Sequence, residues 1–117
     1  MILAAGSSSR MGQPKQLLPW KDSFLLNHTI SVAESIQPFI TVVVLGANYE
    51  RINSKIQHRR VVVFRNLKWK EGLGSSIACG INFIQNAGDP VDGVLIILPD
   101  QPLINENEVL IKIKATT

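Results

Sequence analysis

The chain has 117 residues, 45% of them hydrophobic, a formal net charge of +3 and a single cysteine. That length and apolar content fit one compact domain and exclude an intrinsically disordered chain; no apolar run approaches the roughly 18 residues of a membrane span, no basic leader with a cleavage site opens the sequence, and a cytoplasmic location is the expectation. Cys79 alone makes neither an internal disulfide nor a zinc centre, and scattered basic residues with two Trp, one Tyr and four Phe suit small anionic ligands better than nucleic acid.

In chain order, an apolar strand stub over 2–4 opens into small residues, Ala5, Gly6, Ser7, Ser8 and Ser9, followed by Arg10, Gly12, Pro14 and Lys15. Gly6 and Gly12 allow backbone conformations closed to other residues, and the short serines let several N–H groups converge on one anion. Arg10 and Lys15 add positive charge, with no acid before Asp22 to neutralise it. Two exposed basic residues on a loop are the plain alternative, although solubilising side chains need no glycine on each side of Arg10. The spacing is not a Walker loop, because five residues separate Gly6 from Gly12 and Lys15 stands three past Gly12, and GxGxxG is absent.

Ser23 is then placed to cap a helix whose inward residues are Leu26, Ile30, Ala33 and Ile36, ended by Pro38. His28 on that helix has no second ligand at metal spacing and reads as a packing or surface residue. FITVVVL over 39–45 predicts a strand covered on both faces, closed by Gly46; 48–57 reads as a short polar helix and 61–64 as a third buried strand. Gly72 and Gly74 form a turn, Ser75 or Ser76 can cap the next helix, and Leu73, Ile77, Gly80, Ile81 and Ile84 trace its buried stripe. After a loop over 86–90, GVLIIL over 93–98 predicts a fourth buried strand ending at PDQPL, and Asn105 with Glu108 makes a capping box for a last helix over 106–114.

Strand and helix alternate, and the strands are apolar throughout, so the fold class is α/β: a Rossmann-like, doubly wound, mostly parallel sheet. The irregular segments after strands one, three and four then share the carboxyl rim of the sheet, where ligands of such folds lie. Asp100 ends a strand between two prolines, which places a carboxylate where Mg²⁺ on a nucleoside triphosphate would sit; a turn or helix cap is the alternative, and Asn105 is the better cap. Glu71, Asp89 and Asp92 flank turns and look solvated. Gly72, Gly74, Ser75 and Ser76 are explained by a turn and a cap, or by facing a nucleobase or ribose. Trp69 could stack on a ring or pack on the rim, and Cys79 reads as a small buried residue facing the sheet.

LAAGSSSRMGQPKQLLPW resembles the LAAGxSSRMGxPK signature loop of nucleotidyltransferases, and within them the molybdenum cofactor cytidylyltransferase branch of the MocA/MobA-like family, where QLLPW commonly follows. NLKWKEGLGSSIACGI is similar to that family's Asn, Trp, Glu-Gly, Ser-Ser and Gly segment, and LPDQPL to its metal-binding aspartate motif, whereas the guanylyl branch usually reads LAGG. The resemblance implies the N-terminal part of a nucleotide-diphospho-sugar transferase type fold. It further implies transfer of CMP from CTP to a phosphorylated acceptor such as molybdopterin, with release of pyrophosphate and with Mg²⁺ or Mn²⁺ as cofactor. The backbone at Leu3, Ala4, Ala5 and Gly6 would lie near the nucleotide, joined by Ser7, Ser8, Ser9, Gly12, Gly74 and Ser75. Arg10 and Lys15 would act on the phosphates and Asp100 on the metal, making these three the catalytic set. A molybdenum enzyme receiving the product is the implied partner. The family's second half, with a further metal ligand and most of the acceptor pocket, is expected beyond Thr117, so 1–117 reads as a single domain shortened at its C-terminus. Two alternatives stand beside this reading: a nucleotidyltransferase using GTP or a sugar or isoprenoid phosphate, and a non-catalytic nucleotide-binding chaperone module for a molybdenum enzyme.

Overall fold

The computed structural model describes residues 1–99 except Ser8, Met11, His58, Arg59 and Asp89, and for Ser9 and Arg10 the backbone. Strand β1 (Ile2–Ala4) leads into two short antiparallel hairpins, β2 (Ser9–Arg10) with β3 (Gln13–Pro14) and β4 (Pro19–Trp20) with β5 (Ser23–Phe24), separated by a 3-10 turn at Lys15–Leu17. Helix α1 (Leu25–Ser35), strand β6 (Val42–Leu45), helix α2 (Tyr49–Asn53) and strand β7 (Val62–Arg65) follow, then a 3-10 turn at Trp69–Glu71 and helix α3 (Leu73–Asn86).

The main sheet is parallel in the order β1-β6-β7, with Val43 paired to Ile2 on one side and Val63 on the other. Side chains alternate between its faces. Ile2, Ala4, Val43 and Leu45 meet Leu26, Ile30 and Ala33 of α1 and Ile52 of α2, while Leu3, Val42 and Val44 meet Ile84 of α3. The valine run is apolar at every position because helices cover both faces. After α3 the chain returns to the free side of β1, where Ile2 bridges Ile97 in parallel; the Leu3 N–H donates to Ile97 O at 3.0 Å and the Ile97 N–H to Met1 O at 3.0 Å. The doubly wound, Rossmann-like expectation therefore holds, and the direction of winding reverses beside β1. Among the described residues no helix is long and apolar enough to cross a membrane.

Several expectations are corrected. Among the described residues the segment over 93–98 pairs with β1 only at Ile97, and Ile96 is 37% exposed where a buried strand was expected. The central strand begins at Val42, leaving Phe39 74% exposed ahead of the sheet's amino edge. Strand β7 is half-buried, as befits an edge, and the polar helix shrinks to α2. Ser23 does not cap α1: it pairs with Trp20 in β5, so Phe24 takes the cap position and the Ser23 hydroxyl instead accepts from Asn27 Nδ2 at 2.9 Å. Ser75 and Ser76 lie inside α3, which starts from Gly72, and Leu73 at its first turn is 53% exposed rather than buried. Asn105, Glu108 and the helix expected over 106–114 lie outside the described residues.

At the carboxyl edge three chain exits are tied together. The Ala47 N–H donates to Ala5 O at 2.9 Å and the Asn66 N–H to Leu45 O at 2.7 Å. Gly46 sits so close beneath Trp69 that a methyl there would lie 2.5 Å from Trp69 Cβ, 2.8 Å from its Cγ and 3.0 Å from Ala5 Cβ. Only a residue without Cβ permits this approach.

Two predictions follow from the packing. Ile30→Ala, at a fully buried position, lowers stability by about 2–5 kcal/mol, read as a fall in urea midpoint, whereas Leu73→Ala stays within about 0.5 kcal/mol. Gly46→Ala costs about 1–3 kcal/mol by overpacking against Trp69 and Ala5, while Gly6→Ala, whose added methyl meets nothing within 4 Å, leaves the same midpoint unchanged.

Candidate functional site

In parallel sheets wound in two directions, ligands occupy the crevice beyond the strand carboxyl ends at the point of reversal. Here that point lies between β1 and the Ile97 segment, so the chain leaving β1 through Ala5, Gly6 and Ser7 forms one wall and Leu98 and Pro99 the other. Gly6 and Ser7 are exposed, whereas Ala5 is buried.

The site residues expected from the sequence divide into groups. Leu3 and Ala4 are strand residues whose side chains lie in opposite cores, and the Leu3 N–H is bound to Ile97. The glycine-rich loop is not open throughout: Ser9 pairs with Pro14 and Arg10 with Gln13, and Gly12 turns this hairpin at φ +78°. Of the two glycines credited with backbone freedom, Gly12 uses it at positive φ, whereas Gly6 is not at positive φ and leaves open space beside its Cα. Lys15 starts the 3-10 turn that follows the hairpin and is half-buried. Ser8 and Asp100 lie outside the described residues, as do the side chains of Ser9 and Arg10.

The second loop is organised by Asn66, which is 1% exposed. Its Nδ2 donates to Ser75 Oγ at 3.2 Å and Ser76 Oγ at 3.0 Å, and its Oδ1 accepts from the Lys68 N–H at 2.9 Å and from Cys79 Sγ at 3.4 Å. Ser75 in turn donates to Lys68 O at 3.2 Å, so its hydroxyl braces the loop. Cys79, expected to be buried, is half-buried, and its thiol donates to this asparagine. Gly72 supplies a turn at φ +102°, and Gly74 is exposed with open space beside it. Trp69 packs on Gly46 and Ala5, so of its two readings the packing one matches the geometry. His28 likewise packs, its ring centroid 5.3 Å from that of Trp20.

Two residues that organise the rim were not singled out from sequence. One is Asn66, noted only as a motif letter. The other is Gln16, 3% exposed, whose Nε2 donates to Ala4 O at 2.9 Å and Gly6 O at 3.2 Å. The available signal was a polar residue leading the apolar pair Leu17 and Leu18. Among the described residues no three His, Cys, Asp or Glu side chains gather as a metal centre. A cavity of about 520 Å³, lined by Phe39, Thr41, Ile84, Val91 and Leu95 among others, lies at the opposite, amino edge and takes no part in this rim.

The chain is 29% identical over 119 aligned positions to a probable molybdenum cofactor guanylyltransferase of Bacillus mycoides, covering all of this chain and 56% of that protein. It is 32% identical over 105 positions to nicotine blue oxidoreductase of Paenarthrobacter nicotinovorans, covering 87% of this chain and 48% of that one. Among solved structures, Rv0371c from Mycobacterium tuberculosis H37Rv matches with a TM-score of 0.78 at 27% identity, over 97% of this chain and 56% of its own. The chain thus spans about half the length of the curated relatives it matches. The MobA-like NTP transferase domain family matches residues 1–114, and this chain belongs to that family.

Proposed function

We propose that these residues hold the nucleotide for a transferase that moves CMP from CTP to a phosphorylated, molybdopterin-type acceptor and releases pyrophosphate. The observation that carries the reading is the exposed Gly6–Ser7 segment at the reversal point of the sheet, followed along the chain by a hairpin that includes Arg10 and by Lys15 at the start of the 3-10 turn after it. Family membership supports nucleotidyl transfer, and the relative from Bacillus mycoides supports a molybdenum cofactor acceptor. The choice of cytosine rests on Ala5, which stands where the guanylyl branch usually has a second glycine, and on the QLLPW that follows Lys15.

In this mechanism an acceptor phosphate oxygen attacks the α-phosphorus in line; the new P–O bond forms as the bond to the β-phosphate bridge breaks, and the electron pair leaves with pyrophosphate. The protein supplies orientation and charge, with no covalent intermediate. Loop amides along Ala5 to Ser7 fix the phosphates, while Lys15 and Arg10 offset charge on the transferring and leaving groups. Asp100, outside the described residues, offers the carboxylate oxygen a hard cation prefers, and Mg²⁺ or Mn²⁺ bound there would supply further charge neutralisation. Ser8, Ser9, Gly12, Gly74 and Ser75 complete the nucleotide side of the proposal, Ser75 through its bracing of the second loop.

Calorimetric titration of the full chain with CTP, GTP and ATP, with and without Mg²⁺, tests the reading. The expected result is metal-dependent binding with CTP favoured roughly tenfold or more over GTP. A preference for GTP transfers the assignment to the guanylyl reaction, and binding of no nucleotide overturns it in favour of a module with another role. In an assay of pyrophosphate release, Lys15→Ala and Asp100→Asn each lower turnover by about 10² or more.

A further inference from the structure

The Gln16 side chain is the least expected polar group at the rim: a primary amide, 3% exposed, in the 3-10 turn that α1 covers. A primary amide nitrogen has two hydrogens to give. Both have receivers here, Ala4 O at 2.9 Å and Gly6 O at 3.2 Å, two carbonyls on the first stretch of chain leaving β1. The other half of the group is unpaid for: Gln16 Oε1 is buried and accepts no hydrogen bond among the described residues. A purely packing position is filled as well by methionine or leucine, so what the amide adds here is its two donated hydrogen bonds.

What the amide achieves follows from peptide geometry. None of the described peptide bonds is cis, and in a trans peptide the C=O and the following N–H point in opposite directions. Turning Gly6 O inward onto Gln16 turns the Ser7 N–H away from it, toward the side where Gly6 and Ser7 are exposed and nothing lies within 4 Å of the Gly6 Cβ position. The same contact removes a carbonyl dipole, negative at oxygen, from the place where an anion would approach. We propose that Gln16 is a positioning residue for phosphate recognition, holding the Ala4 and Gly6 carbonyls inward so that the Ser7 amide faces the triphosphate of the bound nucleotide. This rests on the reading that the rim holds a nucleoside triphosphate.

The test compares the full chain with its Gln16→Met variant, which keeps length and burial and loses both donors. Inorganic triphosphate and cytidine are titrated separately by NMR. Inorganic triphosphate affinity falls roughly tenfold, as expected for a phosphate-binding loop freed from two hydrogen bonds, while cytidine affinity changes by less than about twofold. Equal triphosphate affinity in both proteins overturns the inference, and so does an equal loss for both ligands, which marks a merely structural residue. If the variant fails to fold by circular dichroism, the unmodified chain decides: added triphosphate shifts the Ser7 amide proton downfield, and no shift at Ser7 overturns the inference. Should the unmodified chain bind cytidine but no triphosphate, the underlying nucleotide-site reading falls first, a result distinct from any difference between the two proteins.

Discussion

Strand β6 is the constraint on which the rest hangs. It pairs on both sides in one register, so Ala4, Leu45 and Arg65 lie level across the sheet, and the next residues, Ala5, Gly46 and Asn66, start their exits at the same height. The hydrogen bonds from Ala47 to Ala5 and from Asn66 to Leu45 are direct consequences of that alignment. The heights at which three rim loops start thereby follow from the register of the strands. The fourth exit, after Ile97, joins through β1 by the same device.

Hydrophobicity alone does not choose that register. In a half-exposed strand, a slip of one residue throws the apolar set into water and is strongly opposed. In β6 every residue from Val42 to Leu45 is apolar and both faces are covered, so a slipped strand would bury nearly the same surface. The discrimination comes from contacts that tolerate no shift. Gly46 admits Trp69 and Ala5 only because it lacks Cβ, and a slip would bring Leu45 or Ala47 beneath the indole. Asn66 adds a second lock, since its amide reaches Ser75, Ser76 and the Lys68 backbone at once. The contacts that shape the site therefore also select the pairing of the sheet.

This explains which features could be read from the sequence. The valine runs and the 3.6-residue stripe of α1 report burial, and they located the strands and their order of appearance. Periodicity says which side chains point inward; it does not say where a strand begins or how far it pairs, so Phe39 was expected to be covered and lies ahead of β6, and among the described residues the 93–98 segment pairs only at Ile97. Caps depend on the direction from which the chain enters a helix, and the β4-β5 hairpin brings it in one residue later than Ser23 suggests. Gly6 and Gly12 look alike as letters, but only Gly12 turns a hairpin at positive φ. Gln16 and Asn66 act on partners that only folding brings close, through bonds no local pattern announces.

The described polar side chains that organise this rim, those of Gln16, Asn66 and Ser75, spend their hydrogen bonds on the protein's own backbone and on each other. What they leave toward solvent along Gly6 and Ser7 is main chain. Backbone amides recognise charge and shape, and they persist through most side-chain substitutions as long as the loop path is kept. A fold does not by itself fix function, and relatives at 29% and 32% identity carry names as different as guanylyltransferase and oxidoreductase. Ala5 lies behind that exposed main chain, buried, with its Cβ toward Gly46 and Trp69. Its methyl is therefore part of the packing that supports the loop path and not of the exposed face.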